Sequence, residues 1–264
     1  MQKGYRFQAV IFLLLLVGAS CKKEQGLPVL TAPNLTVGLS ITNASTEISS
    51  LLFYVDNQWQ PLADSPLAFG QTSYTTYSVP GISGNTTNAI PYVFFINGYR
   101  QLSFAQPNSN NFVANLIGYF GPGNRYSIFI TDSIRHGRAQ YVLLTDSLAM
   151  ADSAWAQVRF INLSPDAPAM DVYVFYDAGP VGNLLFHQRD YPLRSLASIG
   201  DVQRYARIKS GPYYFIATQA GTNSILLEGG LVLPQRSVTT IYAKGWTQGT
   251  GPEALNVGVI RYVQ

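Results

Sequence analysis

The side chains best suited to chemistry in this 264-residue chain are few and widely separated. The two histidines, His136 and His187, lie far apart, and neither has a Cys, His or acidic partner at the spacing of a zinc site. Residues 249–251 form a Gly-x-Gly pattern, but a proline follows and no helix is predicted there. The chain contains no Gly-x-Ser-x-Gly elbow and no Gly-x-x-x-x-Gly-Lys phosphate loop. We therefore predict a protein that is not an enzyme, with no catalytic residue, no cofactor and no metal.

The only cysteine, Cys21, ends a segment with the pattern of a secretory signal. Lys3 and Arg6 precede an apolar run over residues 9–17, which is too short to span a bilayer, and small residues follow at 18–20. The segment resembles the lipobox of bacterial lipoproteins, in its looser Bacteroidetes form, with Gly18 where Leu, Val or Ile is usual. This resemblance implies a signal peptide over 1–20 and a lipid, including palmitate, on Cys21.

Composition excludes one class of partner. Residues 1–20 hold two of the 17 basic residues and no acid, so the mature chain has 15 positive against 14 negative charges. There is no basic stripe interleaved with aromatics, and we predict no nucleic-acid partner. Residues 21–35 begin with charged and polar residues and contain two prolines and a glycine, and they are predicted to be a tether between the lipid anchor and a folded body.

The remaining sequence has the period of β-strands. Val37, Leu39 and Ile41 alternate with small or polar residues. Asp56 and Asn57 predict a hairpin turn, and the Gly-Pro-Gly-Asn of residues 121–124 predicts a second. Further strands are expected at 51–55, 92–96, 126–130 and 141–144, and one helix of about two turns is expected within 146–155.

The second half of the sequence repeats the pattern of the first. Val37, Leu39, Ile41, Asn43 and Ser45 correspond to Ala156, Val158, Phe160, Asn162 and Ser164; residues 53–55, 91–94 and 126–130 correspond to 172–174, 212–215 and 238–242. We predict an all-β chain with two tandem immunoglobulin-like β-sandwiches of about 110 residues, over 36–145 and 156–264. A linker over 146–155 would join them, and each would fold alone.

One motif is specific enough to name a family. Residues 156–174, AQVRFINLSPDAPAMDVYV, have the pattern of a strand, a Ser-Pro-Asp-Ala-Pro loop and a second strand. This motif resembles domain of unknown function family 4397 (DUF4397), most clearly over 156–176. In the first half, Thr-Glu-Ile-Ser at 46–49 replaces the Pro-Asp-Ala-Pro of 165–168. The resemblance implies tandem β-sandwich units in an envelope or secreted protein, often a Bacteroidetes lipoprotein, and implies no activity.

The loop of this motif has a structural and a binding interpretation. Pro165 and Pro168 fix φ and remove two amide donors, so the preceding strand must end, and Asp166 is placed to accept backbone amides in the turn. Alternatively, Asp166, Asp171 and Asp177 would surround a calcium ion. These acids lack the close spacing of a dedicated calcium loop. We expect a structural loop, with binding as the alternative; its residues are Ser164, Pro165, Asp166, Ala167, Pro168 and Asp171.

Aromatic residues in turns and polar loops predict a second candidate site. Trp59 follows the Asp56–Asn57 turn, Tyr74 and Tyr77 lie in a polar stretch, and Trp246 lies beside a glycine. Exposed aromatic faces stack on sugars, so these four side chains are candidates for sugar binding. The alternative is that they cap the edges of the sandwiches.

Three Asp-Ser-apolar triplets place hydroxyl groups at Ser133, Ser147 and Ser153. The triplets are similar to the acceptor pattern for envelope O-glycosylation in Bacteroidetes, and two of them fall in the predicted linker. The alternative is that Asp146 and Ser147 cap the short helix expected there.

Three classes of function follow from these patterns. The leading one is a non-catalytic envelope lipoprotein, a structural or interaction module displayed from the outer membrane toward the periplasm or the cell surface. Its partners would be the membrane, through the lipid, and envelope proteins or glycans. The alternative is a carbohydrate-binding surface lipoprotein. The third is an envelope hydrolase whose two carboxylates come from distant loops. The sequence does not indicate an oligomeric state.

Overall fold

The computed structural model describes residues 35–62, 65–73, 75–78, 87–109, 111–131, 140–146, 154–176, 183–186 and 204–263. The predicted signal peptide, nearly all of the tether, and residues 147–153 of the predicted linker and helix lie outside these ranges. Strands and a single 3-10 turn, Gly251–Glu253, make up the regular structure of the described ranges, which contain no α-helix. The predicted all-β class is therefore confirmed.

The first unit consists of two sheets that share one core. Its strands are β1 (Thr36–Asn43), β2 (Ser50–Val55), β3 (Gln58–Gln60), β4 (Leu67–Ala68), β5 (Thr75–Ser78), β6 (Thr87–Ile90), β7 (Val93–Ile96), β8 (Gly98–Ala105), β9 (Phe112–Phe120), β10 (Arg125–Thr131) and β11 (Gln140–Thr145). The first inner sheet has the order β11-β10-β1-β7, and the first outer sheet has the order β3-β2-β8-β9, with β4 also paired to β2 and β5–β6 as a separate hairpin. Leu39 and Ile41 of the inner sheet pack against Phe53 and Phe104 of the outer sheet.

The second unit repeats this arrangement. Its strands are β12 (Trp155–Asn162), β13 (Met170–Tyr176), β14 (Asn183–Phe186), β15 (Ala206–Lys209), β16 (Gly211–Gln219), β17 (Ile225–Leu233), β18 (Ser237–Lys244) and β19 (Asn256–Val263). The second inner sheet has the order β15-β12-β18-β19, and the second outer sheet has the order β14-β13-β16-β17. Val158 and Phe160 of the inner sheet pack against Val172 and Phe215 of the outer sheet.

Strand pairing shows which parts of the predicted repeat are equivalent. The first strand of each unit, β1 or β12, pairs in parallel with the next-to-last strand, β10 or β18. At the end of each first strand an asparagine side chain accepts a backbone amide two residues on, Asn43 from Ser45 and Asn162 from Ser164, at 3.2 Å in both units. The matching of 91–94 with 212–215 is wrong, because β15 takes the place of β7, whereas 212–215 lies in β16, the equivalent of β8.

The order of the strands differs from the predicted immunoglobulin order. An immunoglobulin domain places its first, second, fourth and fifth strands in one sheet and its third strand in the other. In both units here the third strand pairs with the second, and the first strand lies in the opposite sheet. The hairpin at Asp56 and Asn57 contributes, since positive φ angles of 51° and 63° form a tight turn that keeps β3 beside β2.

The second predicted hairpin is also corrected by the structure. Residues 121–124 do form a turn, and Gly123 adopts a φ of +73° there. However, this turn joins β9 of the first outer sheet to β10 of the first inner sheet. It is a crossing between layers, because a turn sequence specifies a change of direction and not the partner of the strand that follows.

The two units stack through their inner sheets. A separate apolar cluster joins the outward faces of these two sheets, with Phe129 of the first unit in ring contact with Tyr242 of the second at 5.6 Å. The cluster contains Ala44, Phe129, Val142 and Leu144 from the first unit and Ile161, Leu163, Tyr242 and Ile260 from the second. The layers therefore follow the order outer, inner, inner, outer, and β1 and β18 are buried on both faces.

A buried ion pair lies between the two inner sheets. Arg159 Nη2 donates to Asp146 Oδ1 at 2.6 Å, and each side chain is 1% exposed. The hydroxyls of Tyr92 and Ser127 donate to Asp146 Oδ2 at 2.8 and 2.7 Å, and that of Tyr205 donates to Oδ1 at 3.3 Å. Burial and the neighbouring carboxylate raise the pKa of Tyr92 far above its ordinary value, so this phenol remains a neutral donor. Asp146, predicted to begin a linker or cap a helix, directs its carboxylate into this interface.

Candidate functional site

The outward face of the first outer sheet points away from the core of the first unit. Along β8 and β9, Leu102, Phe104, Leu116 and Phe120 face the core, and the residues between them face away. Tyr54 on β2 pairs with Trp59 on β3 and with Ser103 on β8. We call this surface the aromatic face; it comprises Tyr54, Trp59, Tyr99, Gln101, Ser103, Phe112, Asn115, Ile117 and Tyr119, of which Ser103 is itself buried.

Large apolar side chains are concentrated in two groups on the aromatic face. In one group Trp59 lies opposite Tyr54, whose ring contacts Phe112 edge-on at 5.7 Å. In the other, Tyr99 and Tyr119 are directly paired across β8 and β9, with ring centroids 5.3 Å apart. Trp59 is 53% exposed, Tyr119 59% and Tyr99 78%. Exposed apolar groups of this size on one sheet face are typical of an interaction site.

A strip of uncharged polar groups lies between the two aromatic groups. Gln101 Nε2 donates to Ser103 Oγ at 3.4 Å, and Ser103 Oγ donates to Asn115 Oδ1 at 3.3 Å. Among the described residues, no protein group bonds to the side-chain Nδ2 of Asn115 or to the side-chain Oε1 of Gln101. At the end of the strip Asp56 and Arg100 form an ion pair at 2.9 Å, so their charges offset each other. The aromatic face is therefore electrically neutral.

The four residues predicted to stack on sugars have different outcomes. Trp59 lies on the aromatic face. Trp246 is only partly exposed, and its Nε1 donates to Thr46 Oγ1 at 2.7 Å, which links the two units. Tyr77 lies in β5, where only the backbone is described, and Tyr74 lies outside the described residues.

Sequence reasoning missed most members of the aromatic face. Tyr54, Tyr99 and Tyr119 occupy the solvent side of β2, β8 and β9. The alternation of these strands is visible in residues 50–55, 98–105 and 112–120. The useful signal is an aromatic residue in phase with polar neighbours such as Gln101 and Asn115, rather than in phase with the core leucines. That signal becomes informative only once the adjacent strands are known to be β2, β8 and β9.

The equivalent face of the second unit has a different chemical character. Tyr214 on β16 is 42% exposed. A hydrogen bond with Glu228 raises the pKa of Tyr214. Glu228 is exposed on β17 and brings a negative charge to this face. Tyr214 is therefore a suitable control position for the aromatic face.

The Ser-Pro-Asp-Ala-Pro loop connects β12 and β13 and bonds to a neighbouring loop. Ser164 Oγ donates to the Gly245 carbonyl at 2.6 Å and accepts the Ala167 amide at 3.2 Å. Asp166 was expected to accept amides within its own turn, but its Oδ1 instead accepts the backbone amide of Thr247 at 2.9 Å. Pro165 and Pro168 lie within the turn, and the Pro168 carbonyl accepts Asn162 Nδ2 at 3.0 Å.

The acids considered for calcium bind different parts of the chain. Asp166 bonds to Thr247, whereas Asp171 Oδ2 accepts the Gly221 amide at 3.0 Å. Asp177 lies outside the described residues. In the part of the chain that the structure describes, no three His, Cys, Asp or Glu side chains are grouped as metal ligands would be.

Two open clefts lie elsewhere in the described part of the molecule. One, of about 540 Å³, lies where the units meet and is lined by Thr46, Phe69 and Glu253 among others. The other, of about 500 Å³, lies in the second unit beside Trp155 and Tyr213. Among the described residues, neither cleft is lined by the two carboxylates that a glycosidase-type hydrolase requires.

Several predicted modification sites fall outside the described residues. These are the lipidation site Cys21 and the hydroxyl groups of Ser133, Ser147 and Ser153. Within the described ranges, no helix has the length and apolar character needed to cross a bilayer.

Solved structures with a detectable similarity share little sequence with this chain. The Bacillus anthracis TIE protein is 10% identical over 79% of this chain, with a TM-score of 0.22, and this chain spans only 33% of its length. Family 41 carbohydrate-binding modules from streptococcal virulence factors, described as recognising α-glucan, are 10% identical over 79% of this chain and 92% of theirs, at 0.23. A putative cell adhesion protein from Parabacteroides distasonis is 9% identical over 86% and 98%, at 0.18. Similarities this distant carry no argument about function.

A family model gives a direct assignment. The model for the domain of unknown function DUF4397 matches residues 37–173, which is more than half of the chain. The match runs through the first unit to β13, so it includes residues 156–173 of the motif that carries the resemblance. No curated protein sequence matches significantly. By the extent of this match, the chain belongs to the DUF4397 family.

Proposed function

We propose that this protein is a non-catalytic, lipid-anchored module of the bacterial outer membrane that binds an envelope partner through the aromatic face. The observation that carries the proposal is the set of large side chains exposed in adjacent rows of one sheet, with Tyr99 at 78% and Ile117 at 74% exposure. The β-sheet fixes the backbone that carries these side chains, so only their rotamers have to be ordered on binding. On its tether the body would face either the periplasm or the cell surface.

The anchor in this proposal is Cys21 with its lipid. The supporting observation is the sequence pattern of residues 1–21, and residues 22–34 supply a polar tether to β1. One acyl chain binds a membrane only marginally, whereas two or more hold it stably. A tether of this composition would leave the four-layer body free to orient toward a partner.

Changing Cys21→Ala should remove the protein from the outer membrane. The variant cannot receive diacylglycerol, so we expect loss of palmitate labelling and an uncut or soluble product after fractionation of native cells. The unchanged chain, labelled in parallel, is the control. Continued labelling and outer-membrane fractionation of the variant would contradict the lipoprotein proposal.

Binding by the aromatic face can be measured with an unlipidated protein. A Cys21→Ser variant, freed of its lipid, should bind isolated envelopes of the native host saturably. Adding Tyr99→Ser and Tyr119→Ser should abolish this binding, because the variant loses the exposed ring pair. Tyr214→Ser, on the equivalent face of the second unit, should bind as the parent does. Equal binding by all three proteins would show that the aromatic face is not the interaction surface.

A further inference from the structure

The chemistry of the aromatic face indicates which kind of partner it fits. We infer that it binds a neutral, extended polysaccharide chain, an inference that rests on the interaction surface proposed above. The two aromatic groups and the polar strip between them are the observations that lead to this ligand class.

The spacing of the aromatic groups suits a polymer rather than a single sugar. Tyr119 and Asn115 lie four residues apart on β9, which corresponds to about 14 Å along the strand. Asn115, Ser103, Tyr54 and Trp59 form one row across four strands, which adds about 14 Å in the other direction. A ligand that contacts both groups must therefore span several sugar units across an open sheet face. The flat apolar faces of pyranose rings, which carry C–H groups, are the complementary surface for these aromatic side chains.

The polar strip supplies the hydrogen bonds that sugar hydroxyls need. Sugar hydroxyl groups both donate and accept, and Asn115 offers donors while Gln101 offers an acceptor on the same face. The hydrogen bonds from Gln101 to Ser103 and from Ser103 to Asn115 hold the two side-chain amides in a defined orientation. Planar amides beside aromatic rings thus provide both parts of a sugar-binding surface.

The charge of the aromatic face favours a neutral polymer over an acidic one. The nearest charges described, Asp56 and Arg100, are paired with each other at 2.9 Å, and Arg100 also donates to the carbonyl of Ile96 at 2.8 Å. No unpaired cation is therefore presented to a uronate or sulfate group by the described residues of this face. The bound state should accordingly be insensitive to salt, since no ion pair is screened.

A protein partner fits the polar strip less well than a glycan does. The core of a protein interface is dry, and each amide group placed there must meet a matching group or lose its hydration. On the aromatic face the strip lies between the two apolar groups and not at a rim. A glycan meets it with a hydroxyl on nearly every carbon, so the amides remain paired.

The inference is tested by affinity electrophoresis of the detergent-solubilised full-length protein. The gels contain soluble neutral polymers of glucose, mannose, xylose or galactose, and polygalacturonate and heparin serve as anionic comparisons. We expect retardation by at least one neutral polymer, unchanged between about 0.05 and 0.5 M NaCl. Trp59→Ala and Tyr119→Ala should each weaken the binding at least about tenfold, and Asn115→Ala should weaken it measurably. Tyr214→Ala should leave it unchanged.

Three outcomes would overturn the inference. They are no retardation by any neutral polymer, retardation that Trp59→Ala and Tyr119→Ala do not reduce, and binding of the anionic polymers alone. If the Tyr99→Ser/Tyr119→Ser change abolishes envelope binding while no polymer, neutral or anionic, is bound, the interaction surface stands and its partner is a protein. If neither assay depends on the aromatic face, both the inference and the proposed function fail.

Discussion

Replacing Asp146 with alanine should destabilise the protein by about 3–5 kcal/mol, because it leaves the Arg159 guanidinium buried without a counter-charge. Arg159 is 1% exposed and cannot reach water without moving the second inner sheet. Its other described bond, from Nε to Thr240 Oγ1 at 2.9 Å, is to a neutral hydroxyl and does not compensate a charge. The Tyr92 and Ser127 hydroxyls would lose their acceptor at the same time. Urea unfolding followed by tryptophan fluorescence measures the loss.

Two companion variants separate the charge from the packing. Arg159→Met alone should cost less than Asp146→Ala, because a carboxylate that keeps the Tyr92, Ser127 and Tyr205 donors is still partly solvated by them. The double variant Asp146→Ala/Arg159→Met removes both charges, and we expect it to be more stable than Asp146→Ala. A double variant as unstable as the sum of the two single changes would show that the ion pair is not coupled as its geometry requires.

The same interface bears on the predicted independence of the two units. Residues 156–264 alone would lack Asp146 and would uncover Ile161, Leu163 and Tyr242. The folding of this fragment on its own stays a prediction, and the interface argues against it because the fragment would expose an apolar patch to water. The described contacts favour one four-layer body.

Replacing Gly258 with alanine should cost about 3 kcal/mol through overpacking. Gly258 on β19 lies directly opposite Tyr242 on β18, and a Cβ added there would overlap the Tyr242 ring. The ring cannot move aside, because Tyr242 is 2% exposed and packs against Phe129 across the interface. Its hydroxyl donates to the Gly70 carbonyl at 3.3 Å, which fixes its other end. The change therefore strains the contact between the two units.

Gly230→Ala is the matched control for this prediction. Gly230 also lies in a strand, β17, but an added Cβ there would meet no atom within 4 Å. We expect its unfolding free energy to stay within about 0.5 kcal/mol of the parent. In a Tyr242→Ala background the Gly258→Ala change should cost little, because the ring that it overlaps is gone. If Gly258→Ala costs the same in both backgrounds, its effect does not come from Tyr242.

Local physics explains what could be predicted from the sequence. Strands at 37–41, 51–55 and 126–130 follow from alternating or continuous apolar residues, since successive side chains in a strand point to opposite faces. The Asp56–Asn57 hairpin follows from residues that tolerate positive φ. The equivalence of Asn43 and Asn162 follows from a repeated pattern whose side-chain bonds are local in both copies. Each of these features depends on neighbours in the chain.

Only the tertiary structure decided which outward faces are covered. Arg159 and Tyr99 both occupy outward positions of their strands, and alternation alone predicts solvent exposure for both. Stacking of the two inner sheets buries Arg159 against Asp146, whereas no described residues cover Tyr99 on the first outer sheet. The sequence determined which side of each strand faces its own core. The pairing of the sheets determined whether the other side became an interface or a binding surface, because that depends on contacts between residues far apart in the chain.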